Sequence, residues 1–115
     1  MGAREDLNGL WEGSFSYFAS EDIGETRFKA RIKIVEGQLS GITVESDFMS
    51  GGDLKADIKG TVEGDKVTFV KRYMREGPDY ARPVTYEGRL ESDNRMLAGS
   101  WTHSDGSGPF EMCRP

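Results

Sequence analysis

Residues 26–35 read TRFKARIKIV. Phe28, Ala30, Ile32 and Ile34 take every second place, and Arg27, Lys29, Arg31 and Lys33 fill the places between. Successive side chains of a strand point to opposite faces, so this pattern gives one greasy face and one cationic face. A helix would instead show its apolar residues three and four apart. The stretch predicts a half-buried β-strand whose basic row stands in water.

The same period runs outward in both directions. Upstream, NGLWEGSFSYF (Asn8–Phe18) sets Trp11, Gly13, Phe15 and Tyr17 against Glu12, Ser14 and Ser16. Downstream, LKADIKGTV separates Leu54, Ala56, Ile58 and Val62 from lysines, an aspartate and a threonine. KVTFVKRYM places Val67, Phe69, Lys71 and Tyr73 together, and PVTYEGRL places Val84, Tyr86, Gly88 and Leu90 together. RMLAGSWTH gives Leu97, Gly99, Trp101 and His103, and GPFEMCR gives Phe110 and Met112. In QLSGITVES both parities carry apolar residues, so its register stays open. The sum is eight strands, no helical stripe and no linker: one domain over residues 1–115.

The connections carry the topology. ASEDIGE, DFMSGGD and REGPDYAR are long; EG, EGD and SDN are tight; SDGS lies between. Long and tight connections alternate, so an up-and-down meander would collect the long ones at one end and the hairpins at the other. Closing the sheet removes its sticky edges. The fold class expected is all-β, an eight-stranded antiparallel up-and-down barrel with an open mouth and a closed base.

Composition narrows the partners. The formal charge of −5 over 115 residues disfavours nucleic acid and anionic membrane surfaces. MGAREDLNG has no apolar signal-peptide core, and a single cysteine, Cys113, forms no internal disulfide, so a cytoplasmic setting is expected. One histidine and one cysteine do not make a zinc site of the usual kind. No cofactor motif appears, and no serine sits in a nucleophile elbow.

GLW at Gly9–Trp11 resembles the Gly-x-Trp of the calycin barrels, which include lipocalins, fatty-acid-binding proteins and avidins. The resemblance implies that Trp11 seals the base and that a basic residue ending the last strand, here Arg114, packs across it. GQLSGITVES and VTYEGRLESDNRMLAGSW resemble avidin strands in particular. Avidins bind the biotin ureido group with third-strand hydroxyls and wall it with several tryptophans. The matching third-strand places here are Thr43 and Glu45, and the tryptophans are Trp11 and Trp101. The resemblance thus implies the barrel without the biotin-binding residues.

With the apolar parity inward, the polar exceptions gather towards the mouth. Odd strands end there on Tyr17, Glu45, Tyr73 and His103, Tyr86 lies in the upper half, and Lys71 sits one inward step below Tyr73. Mostly apolar walls with a few convergent polar groups form the usual small-molecule pocket. The expected site comprises Phe15, Tyr17, Thr43, Glu45, Phe69, Lys71, Tyr73, Tyr86, Trp101 and His103, with residues 19–25, 47–53 and 75–82 as gates. A buried charge requires a partner, so Glu45 and Lys71 either pair with each other or meet a ligand. A bulge at Val70 would turn Lys71 outward instead.

Three functions follow from this lining. The first is binding of an apolar or amphipathic small molecule. The second is an isomerase or lyase using Glu45, Tyr73 or His103. The third is a filled, ligand-free barrel acting through its surface or as a homo-oligomer. For the last, Ile42, Val44, Val70, Met96 and Ala98 point outward and would form a subunit face if they cluster.

Overall fold

All of these strands form, and the first hydrogen-bonds to the last. A computed structural model describes residues 7–16, 26–46, 53–74, 83–91, 95–104 and 106–114. The strands are β1 (Gly9–Phe15), β2 (Thr26–Val35), β3 (Gln38–Ser46), β4 (Asp53–Glu63), β5 (Lys66–Tyr73), β6 (Val84–Glu91), β7 (Met96–His103) and β8 (Gly106–Cys113). Each pairs antiparallel with its neighbours in chain order, and β1 pairs with β8 from Glu12↔Cys113 to Phe15↔Phe110. The result is the closed meander barrel that the alternation implied. Tyr17 and the gate segments, Asp53 excepted, lie outside the described residues.

The registers resolve both open questions about facing. In β3, Leu39, Thr43 and Glu45 are buried while Ile42 is exposed and Val44 half-buried, so both β-branched residues point outward. In β5, Lys71 pairs with Ile58 on one side and Val84 on the other in unbroken ladders, so there is no bulge at Val70 and Lys71 points inward. One expectation needs correcting. β8 opens at Gly106 rather than Gly108, because Gly106, Ser107 and Gly108 already pair with His103, Thr102 and Trp101. The connection from β7 is therefore tight. Two glycines and a serine carry no apolar parity, so the sequence pattern hides this first turn of pairing.

The outward apolar residues do not form one face. Ile42 and Val44 lie with Leu10 over a groove of about 460 Å³ on β1–β3, flanked by Lys29, Arg31 and Lys33. Val70 pairs with Lys59 and Thr85, Met96 with Cys113, and Ala98 with Glu111.

Closure requires tilted, staggered strands. The pairing row that starts at Gly9 near the base climbs through Ile32, Gly41 and Ile58 to Lys71 and Val84. Lys71 thereby reaches the upper half although its row begins at the bottom.

The base is stitched by its turns. Glu36 and Gly37 both have positive φ (51° and 78°), the conformation of a tight hairpin whose twist matches its strands. The N–H of Val62 donates to Gly37 O at 2.9 Å, that of Leu90 to Asp65 O at 2.8 Å, and that of Arg114 to Arg95 O at 3.0 Å. Above this ring Leu7 and Trp11 are buried, and the Trp11 indole N–H donates to Leu7 O at 2.9 Å. Asn8 Oδ1 accepts the Ile34 N–H at 2.6 Å. The Arg114 guanidinium stands 5.3 Å from the Trp11 ring centroid and donates to Asn8 O at 2.9 Å. Gly9 has φ 122°, a region nearly closed to other residues, and a Cβ there would crowd Arg114 Nη2 at 3.3 Å. Leu7 and Asn8 precede the first apolar alternation, so periodicity gave them no role.

Candidate functional site in the barrel lumen

The lower and middle lumen is filled. Phe69 stacks on Tyr86 with centroids 4.8 Å apart, and Phe110 meets Tyr86 edge-on at 4.9 Å. At Gly13, the place a Cβ would occupy is crowded by Phe28 Cζ at 2.6 Å and Met112 Cγ at 2.8 Å. Phe69 is thus a core residue beneath the site.

The polar residues lie above this floor. Lys71 Nζ donates to Glu45 Oε2 at 3.1 Å and to the Tyr86 hydroxyl at 3.3 Å. The Tyr73 hydroxyl donates to Glu45 Oε1 at 2.9 Å. Strands β3, β5 and β6 therefore supply one connected cluster, reaching across the lumen because strand tilt brings their inward side chains to one level. The cation and carboxylate are 2% and 7% exposed, so water does little to screen them.

Aromatic faces complete the surroundings. Lys71 Nζ lies 4.7 Å from the centroids of Phe15 and Tyr73, 5.5 Å from Tyr86 and 5.8 Å from Phe28. Each ring presents a negative face to the ammonium. Two effects then compete at the amine. Burial pulls the Lys71 pKa below the usual 10.5, and the adjacent Glu45 carboxylate partly opposes that by charge and hydrogen bonding. Burial wins: removing an ammonium from water costs several kcal/mol, more than one carboxylate restores.

Thr43 differs from these residues. It is 1% exposed, and its Oγ1 has no hydrogen-bond partner among the described residues. It sits between Ala30 and Ala56 in the pairing rows, with Tyr73 beyond Ala56. Ala30, Thr43 and Ala56 make a run of small side chains across three strands, and the Thr43 hydroxyl faces inward from it. A buried hydroxyl without a partner costs about 1–3 kcal/mol.

Trp101 and His103 adjoin the Lys71 cluster through Phe15. The Trp101 indole N–H donates to Ser16 O at 2.8 Å, its ring meets Phe15 edge-on at 6.0 Å, and His103 tilts against it at 5.2 Å. The Ser16 carbonyl would collide with any side chain at position 108, which is why glycine stands there. The Glu45 carboxylate is meanwhile held by Lys71 and Tyr73. Of the expected lining, Phe15, Glu45, Tyr73 and Tyr86 gather about Lys71. Thr43 stands on the wall, Phe69 is in the floor, and Trp101 and His103 lie to the side.

A cleft of about 510 Å³ runs over β1–β4, lined mainly by the outward-facing Glu12, Arg27, Lys29, Val44 and Asp53, with Gly13, Phe28 and Glu45 at its floor. Among the described residues no three of His, Cys, Asp and Glu converge to hold a metal ion, and no helix is long and apolar enough to cross a membrane. The chain matches no protein-family model and no curated protein.

Proposed function

We propose that the barrel binds a small, largely apolar molecule in the upper half of its lumen, with its polar end among Thr43, Glu45, Lys71, Tyr73 and Tyr86. The observation that carries this reading is the Thr43 hydroxyl, buried and unpartnered beside a charged cluster. A filled structural core would favour valine at that place, which has the same shape and no polar atom to satisfy. The ligand's apolar body would rest on Phe15 and Phe28, the rings nearest the Lys71 ammonium on β1 and β2. The closed base of Trp11 and Arg114, with Gly9 fitted beneath the guanidinium, supports kinship with the calycin barrels, whose avidin branch the hairpin lengths favour.

Titration with 1-aminoanthracene, an apolar fluorophore carrying one amine, tests the reading. Saturable binding that weakens about tenfold in Thr43→Val, with the variant as stable as the parent, is the expected result; a tenfold loss corresponds to about 1.4 kcal/mol. Undiminished binding in Thr43→Val would remove the hydroxyl from the site. Native mass spectrometry of protein isolated from its host adds a second check, since a uniformly ligand-free mass counts against a carrier.

The 3.1 Å contact between Glu45 and Lys71 favours one other reading, a ligand-free barrel whose charges satisfy each other. On that reading no probe saturates the lumen, and the pair matters only for stability.

A further inference from the structure

We propose that Lys71 is a carbonyl-capturing amine, and that the molecules this lumen takes include aldehydes, held as an imine on its Nζ. The inference rests on the lumen-binding reading above and specifies the chemistry of its polar end. Three features place it at Lys71 rather than at the chain's other lysines. The Lys71 amine is enclosed by aromatic faces that match an apolar or conjugated aldehyde. Proton-transfer groups touch it: the Glu45 carboxylate at 3.1 Å and the Tyr86 hydroxyl at 3.3 Å, with the Tyr73 hydroxyl on the far carboxylate oxygen at 2.9 Å. Finally, desolvation favours the neutral, nucleophilic amine, as in other lysines that form Schiff bases. Lys29, Lys33, Lys55, Lys59 and Lys66 are exposed and lack this enclosure.

The step balances without a redox partner. The Lys71 ammonium gives one proton to the Glu45 carboxylate. The amine lone pair attacks the carbonyl carbon, forming the C–N bond while the C=O π electrons move to oxygen. The nitrogen loses a proton and the oxygen gains one, giving a neutral carbinolamine. Protonation of its hydroxyl by Glu45 breaks the C–O bond, water departs, and a protonated imine remains beside the Glu45 carboxylate. The new cation occupies the place of the ammonium, so the carboxylate and ring faces that hold one also hold the other. The Thr43 hydroxyl would serve a hydroxyl or carbonyl on the captured molecule.

The test uses the full chain and trans-cinnamaldehyde, a flat conjugated aldehyde, with sodium borohydride to fix any imine. The expected result is one dominant adduct, heavier by the aldehyde less its oxygen, mapping to Lys71 and formed at least tenfold faster than adducts at exposed lysines. Lys71→Arg keeps the charge and cannot form the imine; it is expected to lose that adduct. Unreactive cinnamyl alcohol, followed by quenching of tryptophan emission, separates the two claims. Adducts confined to exposed lysines, with cinnamyl alcohol still bound, overturn the imine and leave lumen binding intact. The same adduct pattern without alcohol binding overturns both. Should Lys71→Arg misfold, the site mapping in the parent chain decides alone.

Discussion

The two ends of the barrel each set a cation against aromatic rings, and they do so at opposite cost. At the base, Arg114 lies over Trp11 from the outside, half-buried, with its charge still reaching water. At the mouth, Lys71 is 2% exposed and surrounded by rings. The first arrangement covers a hydrophobic plug with a long side chain and gives up little hydration. The second strips an ammonium of water and must replace that hydration with a carboxylate, a phenol and ring faces. A guanidinium is weakly hydrated and suits a partly covered site, whereas an amine changes protonation when buried. One end covers its cation cheaply. The other holds its cation at the cost of its hydration.

The largest effect expected at either end comes from the plug. Trp11→Ala deletes a fully buried indole and is expected to cost ~3–5 kcal/mol, or to prevent folding, in urea denaturation. A loss below about 1 kcal/mol would mean that the base does not hold the barrel shut.

Next is the buried pair. Lys71→Met leaves the Glu45 carboxylate without its cation and is expected to cost ~3–5 kcal/mol. The double change Glu45→Gln with Lys71→Met is expected to recover most of that and to match or exceed the parent. If the double variant is as unstable as the single one, the pair is a net stabiliser and the contrast between the two ends collapses.

The pH dependence sharpens the same contrast. Lys71 has a lowered pKa in the folded protein, so between that value and 10.5 the unfolded chain binds the extra proton. Stability conferred at this position therefore rises with pH through the window and is flat below it. The groups facing Nζ are Glu45, Tyr73 and Tyr86. The parent's stability relative to the double variant is expected to climb with pH across the window below 10.5, as measured by denaturant midpoints. A flat difference would indicate that Lys71 titrates like an exposed lysine.

The smallest effect belongs to the outer cation. Arg114→Ala is expected to cost ~1 kcal/mol, the size of an exposed cation–ring contact. A loss comparable to Trp11→Ala would make the guanidinium part of the plug rather than its cover.

How much of this was legible can be seen in particular residues. The strict alternation in β2 and the parity of Trp11, Phe15 and Phe28 showed which faces turn inward, because side-chain direction in a strand depends only on odd and even position. The same rule put Glu45, Lys71 and Tyr86 inside. It gave no signal for Leu7 and Asn8, which act before the first strand, or for the start of β8, where glycines carry no polarity. It also left Ile42 and Val44 ambiguous, because a strand with apolar residues on both faces has no preferred register of its own.

Sequence alone determined the strands, the hairpin end, the inward parity and the presence of a lysine and a glutamate in a greasy interior. These are local properties, written in period and turn chemistry. Only the closed tertiary structure decided that Lys71 meets Glu45 at 3.1 Å while Thr43 finds no partner among the described residues. Those distances depend on strand tilt and stagger, which no single strand encodes. They are fixed when the register is carried round the barrel and the first strand finds the last.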